Sequence, residues 1–119
     1  MAPAPELVAY VVELMGTDIA PAPRRMFGGW GLFVGDVMFA LIFSDRLYLR
    51  VDDDTRPNFE ARGLAPFSYD RRDGPREMRS YFEAPDTVFD DPEEMAEWAR
   101  QALDAAFRVR AAKTRSNRR

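Results

Sequence analysis

The chain has 119 residues, 46% hydrophobic and 31% charged, which is one soluble domain's worth with room for a single core. It contains no cysteine and no histidine, so disulfides, thiol chemistry, ordinary zinc sites and Ser-His or Cys-His nucleophiles are excluded. Its formal charge of −3 hides an asymmetry. The stretch after Ala105 carries six cations (Arg108, Arg110, Lys113, Arg115, Arg118 and Arg119) and no acid, which leaves −9 for the remainder.

Residues 5–15 are predicted to form a helix. Leu7, Val8, Val11, Leu14 and Met15 recur at spacings of three and four, Pro5 suits the first turn, and Gly16 is placed to stop it. The sequence from Ile19 to Pro23 then reads as an extended connector, because its prolines cannot continue a helix.

Residues 26–51 form the pattern of an antiparallel meander in three pieces, turning at Gly35-Asp36 and at Ser44-Asp45-Arg46. Between Val37 and Phe43 both alternating sets are apolar. Val37, Phe39, Leu41 and Phe43 are expected on one face, with Met38, Ala40 and Ile42 on the other. A strand of that kind needs cover on both sides. Helices supply one cover, and a second copy of the chain is expected to supply the other. In the next strand Leu47, Leu49 and Val51 face inward, and Arg46, Tyr48 and Arg50 outward.

Residues 54–63 read as a short helix opened by Asp54 or Thr55 and closed by Gly63 in a left-handed conformation. Two strands follow, 67–69 and 76–83, around an Arg72-Asp73-Gly74-Pro75 turn. Asp91-Pro92-Glu93-Glu94 starts the last helix, with Asp91 as cap and Glu94 placed to complete a capping box. Met95, Trp98, Ala99, Ala102, Leu103, Ala106 and Val109 form its buried stripe. The domain is expected to span residues 1–112, and the basic tail of residues 113–119 to be disordered.

The candidate motifs are weak. Gly28-Gly29-Trp30-Gly31 lacks the Gly-Lys-Ser/Thr of a phosphate loop and opens a strand, so it marks a bulge or a close approach of backbone. Asp52-Asp53-Asp54 fails as a calcium loop, having Arg56, Pro57 and Gly63 where an acceptor, a glycine and a glutamate belong. These acids read as a helix N-terminal run instead. Arg71, Arg72, Arg76 and Arg79 lie near Tyr69, Tyr81 and Phe82, but Asp70, Asp73, Glu77 and Glu83 interleave with them, as in a solvated hairpin. No metal, cofactor or catalytic residue is expected.

RRMFGGWGLF, VMFALI and DRLYLRVDD, then TRPNFEARGLAPFSY, then MRSYFEAP ahead of DDPEEMAEWARQAL, together resemble the N-terminal domain of the TfoX (Sxy) regulators of natural competence. The resemblance runs from about Leu7 to Phe107. It implies a secretion-chaperone-like α+β domain, an antiparallel sheet packed by helices, often dimeric. It also implies a part in activating competence genes beside the cyclic-AMP receptor protein. The long regulators carry a second, helical domain that these 119 residues do not include.

The expected order of elements is therefore α-β-β-β-α-β-β-α. The core should come from Leu14, Phe33, Phe39, Leu41, Leu47, Leu49, Phe59, Phe82, Trp98 and Leu103. The expected function is a non-enzymatic, cytoplasmic regulatory and protein-interaction domain. Trp30, Arg46, Tyr48, Arg50 and Tyr81 form the candidate interaction surface, and a homodimer, a transcription factor or RNA polymerase is the expected partner. The alternative is a nucleic-acid-binding module acting through Arg108, Arg110, Lys113, Arg115, Arg118 and Arg119, with Trp30 or Tyr81 stacking. No membrane contact is expected.

Overall fold

A computed structural model describes residues 5–26 and 28–117. Helix α1 spans Pro5–Met15. Four strands follow: β1 Ala22–Met26, β2 Gly29–Val34, β3 Val37–Phe43 and β4 Arg46–Arg50. Then come α2 Arg56–Glu60, β5 Pro66–Arg71, β6 Gly74–Glu83, a 3-10 turn over Asp86–Asp90 and α3 Pro92–Asn117. The six strands form one antiparallel sheet in the order β1-β2-β3-β4-β6-β5. This is the expected α+β architecture with one strand more.

The added strand is β1, whose residues overlap the expected connector. Pro23 is opposite Leu32 in the β1–β2 register. A proline has no N–H to give a ladder, but at the rim of a sheet its nitrogen can face open solvent. The prolines exclude helix here without excluding an edge strand.

Strand β3 carries a bulge. Leu32 is opposite Ala40, yet Phe33 is opposite Met38, so Phe39 has no partner on β2. The alternation of faces resets at that point. Val37 and Phe39 therefore join Ala40 and Ile42 in the main core, while Leu41 belongs to a separate cluster on the other side. Two further core expectations are corrected. On β2, Trp30, Leu32 and Val34 point toward the main core, so Phe33 falls on the opposite face, half-buried, with the Arg24 guanidinium 4.4 Å from its ring centre. Leu14 is half-buried at the margin of α1.

The main core gathers Val8, Val11 and Met15 of α1, Phe59 of α2, and Met95, Trp98, Ala99 and Ala102 of α3 against β2, β3, β4 and Phe82. Phe59 is its hinge point, completely buried, with the Trp98 ring edge-on at 4.9 Å and Phe82 at 6.0 Å. The small alanines let α3 lie close over β3 and β4. Burying such rings contributes about 2 kcal/mol each or more. All three helices feed this one cluster, so they cover the same face of the sheet.

The helix ends follow local chemistry with two departures. Gly16 and Gly63 adopt φ of +82° and +71°, the left-handed conformation that stops α1 and α2. At the start of α2, Thr55 makes no side-chain cap bond. The Asp52 carboxylate accepts from the N–H groups of Asp54 and Thr55 at 3.1 and 3.0 Å, and the Thr55 hydroxyl accepts from the Asp52 N–H. Thr55 thus stands at the cap position as expected but without a cap bond of its own, and Asp52 holds the turn that leads into α2. Asp91 accepts from the Glu93 N–H at 3.0 Å as expected, but Glu94 is bonded to the Thr87 hydroxyl rather than closing a capping box. Helix α3 also continues past Ala112 to Asn117, so residues 113–117 are helical rather than disordered. Arg118 and Arg119 lie outside the described residues.

Candidate functional site

Among the described residues, no helix packs on the other face of the sheet. Its cluster contains strand residues only: Leu41, Phe67 and Tyr81 are buried, with Met38, Phe43, Tyr48 and Tyr69 packed around them. The β5–β6 hairpin builds it. Pro66 is opposite Phe82, but Phe67 is already opposite Met78, so Arg79, Ser80 and Tyr81 have no partner on β5. Within this bulge Tyr81 is opposite Arg50 of β4 and the Ser80 carbonyl accepts from the Val51 N–H, and pairing toward β5 resumes at Phe82. Strand β6 thus has β5 alone as neighbour from Gly74 to Met78 and β4 as well from Tyr81 to Glu83. The far part of the hairpin leans over the uncovered face, and Phe67 lands edge-on against Tyr48 at 4.9 Å and Phe43 at 5.4 Å.

Between this hairpin and β3 lies an open groove of about 700 Å³. Met38, Leu41, Phe43, Phe67, Tyr69 and Met78 give it apolar walls, and Ser44, Ser68 and Asp70 form a polar rim. Met78 is 38% exposed, one of three large apolar residues left in solvent among those described. The volume lies in the range of ligand-binding clefts.

Polar groups fix the surroundings of the groove. The Tyr81 hydroxyl donates to the Met38 carbonyl at 3.3 Å, and the Arg50 guanidinium lies 5.5 Å from the Tyr81 ring centre. Burial raises the Tyr81 phenol above its usual range, and it raises that of Tyr48 too, with the Glu83 carboxylate adding to the effect. Both remain neutral donors at physiological pH. Arg46 is ion-paired with Glu83. Asp70 forms no salt bridge among the described residues.

Of the five residues expected to form an interaction surface, Tyr48 and Tyr81 belong to this cluster and Arg50 lies against Tyr81, while Arg46 lines a separate depression with Glu83, Asp86 and Phe89. Tyr81 is only 3% exposed, however, so its ring offers no free platform for stacking. Trp30 is elsewhere, half-buried against the main core, with its indole N–H lacking a partner. Sequence reasoning missed the groove walls on β5 and β6. The alternation of Phe67 and Tyr69 was a signal, but nothing local announces that the hairpin folds back toward Phe43.

The glycine cluster serves packing. A Cβ on Gly29 would come within 2.4 Å of the Ile42 carbonyl oxygen, and one on Gly31 within 2.7 Å of the sulfurs of Met26 and Met38. The cations of the C-terminal stretch divide. Arg108 is bonded to Asp52 and Arg110 to Asp36, while Lys113 and Arg115 lie exposed on the last turns of α3. Among the described residues no cluster of three or more His, Cys, Asp or Glu could hold a metal. No helix among them is long and apolar enough to cross a membrane.

Comparison with known proteins shows the family. The family model for the TfoX N-terminal domain matches residues 21–106. A stretch of 46 residues is 44% identical to the DNA transformation protein TfoX1 of Aliivibrio fischeri (strain ATCC 700601 / ES114). That match covers 39% of this chain and 22% of the relative, so the chain spans less than a quarter of the curated protein it resembles.

Proposed function

Because this chain belongs to the TfoX N-terminal domain family, we propose that it is a non-enzymatic regulatory domain of DNA transformation that works in the cytoplasm by holding other proteins. The relative's name supplies the process. The observation that carries the mode of action is the uncovered sheet face, where an apolar groove stays open to solvent beside exposed Met78. A domain with neither imidazole nor thiol is poorly equipped for proton transfer at neutral pH. The paired acids Asp52 and Asp54 do not replace them. The Arg108 guanidinium holds the Asp52 carboxyl at about 2, the reverse of the raised value a general acid needs.

A second copy of the chain is the proposed cover for the β2 side of this face, where Met26, Phe33 and Met38 crowd around Gly31. The groove on the β5 side takes the regulated partner, a component of the transcription machinery. Nucleic-acid binding through the C-terminal cations ranks second, because two of the six are already engaged with carboxylates.

A photo-crosslinking amino acid placed at Met78 tests the reading. Irradiation in the native cell should yield a heteromeric adduct that the same probe at Phe107, on the helix side, does not give. Adducts from Phe107 alone, or from neither site, would remove the support. Light scattering at tens of micromolar should show a dimer, and a monomer there would sink the proposed self-association.

A further inference from the structure

The sheet has two open edges, and they are not alike. On β1, Pro23 is opposite Leu32. Proline cannot enter a pair that exchanges N–H···O bonds, so its nitrogen faces the open side, and a donor is missing there. That edge is blunted.

On β5 the prolines give the opposite result. Asp70 is opposite Pro75 of β6, so this too must be a pair without ladder bonds. Alternation then assigns the bonded pairs to Arg71–Gly74, Tyr69–Arg76 and Phe67–Met78. The backbone N–H and C=O groups of Ser68 and Asp70 therefore point away from β6. No strand lies beyond β5, and neither residue makes a further backbone bond among those described. Both residues also line the groove. Two sets of backbone donors and acceptors without a partner among the described residues thus stand along an apolar trench, with the Asp70 carboxylate, in no ion pair among those residues, at its rim.

We propose that the free edge of β5 is a docking strand for an extended peptide of another protein, which pairs with Ser68 and Asp70. Alternate apolar side chains of that peptide fill the groove between β5 and β3, and an Arg or Lys faces Asp70. Main-chain bonds supply the affinity and the groove supplies the selection, as in strand-addition recognition generally. The proposal deepens the protein-holding role put forward above and rests on it. A nucleic-acid strand fits poorly beside a lone carboxylate.

Random linear peptides displayed on phage, panned against the full chain, test it. Enriched peptides should be apolar at every second position, carry Arg or Lys, and lack interior proline. Synthetic copies should slow hydrogen exchange at the Ser68 and Asp70 amides. Ser68→Pro removes an outward donor without touching the β5–β6 ladder and should weaken binding roughly tenfold. Asp70→Lys should turn the preference toward acidic peptides. N-methylation of alternate peptide residues tests the same bonds on the unaltered protein, should Ser68→Pro not fold.

Three outcomes would overturn the proposal: no enrichment, equal binding by folded Ser68→Pro, or concentration-dependent protection of both amides without peptide, which would give the edge to a second copy. The Met78 crosslink separates the two readings. If it persists in folded Ser68→Pro, the protein-holding role stands and strand addition falls; if peptide binding and crosslink both fail, both fall.

Discussion

Arg108 of α3 donates through Nε to one carboxylate oxygen of Asp52 at 2.7 Å and through a terminal nitrogen to the other at 3.2 Å. The same carboxylate accepts from the Thr55 N–H, so one side chain ties the end of β4, the turn leading into α2 and the far part of α3 together. Arg110, two residues further along α3, repeats the arrangement, reaching Asp36 in the β2–β3 turn at 2.7 and 3.2 Å.

The Asp52 tie gives the domain an acid-sensitive joint. Its carboxyl is held at about 2, by the Arg108 bond above all, against about 3.9 in an unfolded chain. A carboxyl lowered on folding stabilises the native state above its unfolded value and loses that contribution as the pH falls toward its folded value. Asp36 is shifted in the same direction by Arg110. Thermal melts should therefore show a Tm that declines between about pH 4 and pH 2. In Asp52→Ala the decline should be shallower, and at neutral pH the variant should be about 2 kcal/mol less stable by urea denaturation. An unchanged pH profile would show that Asp52 is not the joint.

Gly29 and Gly31 predict unequal costs for the same added methyl group. At Gly29 it would meet the Ile42 carbonyl, which the β2–β3 ladder holds in place. At Gly31 the nearest atoms are the ends of two flexible methionines. Gly29→Ala should cost about 2–3 kcal/mol and Gly31→Ala about 1 kcal/mol or less. Equal urea midpoints would contradict the packing described.

Phe59 sits on a helix of five residues, too short to persist without its anchor. Phe59→Ala leaves a void beneath Trp98 and Phe82 and should cost about 4 kcal/mol. A blue shift of tryptophan fluorescence on folding should shrink with it, since Trp98 loses its ring contact. Asn58 and Gln101, bonded across the same α2–α3 seam but exposed, should tolerate alanine within about 0.5 kcal/mol.

Any DNA affinity should be modest and of a particular salt dependence. Arg108 and Arg110 are engaged, Lys113 and Arg115 are exposed, and Arg118 and Arg119 follow them in the sequence. A duplex contacted by four cations should give a log–log salt slope of about −3.6, and by six about −5.4. Removal of residues 113–119 should abolish such binding and leave the Tm within a degree or two. The steeper slope would mean that both carboxylate pairs open on binding.

Strand existence was readable because alternation and turn residues agree: Gly35-Asp36 and Ser44-Asp45 stand where β3 begins and ends. Helices α1 and α3 were readable from their apolar spacing and from Gly16 and Asp91. What went astray went astray for a reason each time. Phe39 flips the faces of β3, and a bulge is a relation between two strands that one strand's pattern does not contain. Pro23 looks like a connector because the rim of a sheet is the one place in it that tolerates proline. The helical turns beyond Ala112 follow Arg108 and Arg110, whose partners lie far back in the chain at Asp52 and Asp36.

The sequence by itself determined the chemistry that is absent, the number and kind of nearly all elements, and the family, since side-chain inventory and short-range periodicity are properties of the chain alone. Tertiary structure decided which apolar residues form a core and which form an open groove. That choice depends on the bulge of β6 at Arg79–Tyr81 and on Phe67 reaching Phe43, a contact between residues distant in sequence. No local pattern records where a strand bulges away from its neighbour, because the bonds on either side of the bulge belong to both strands.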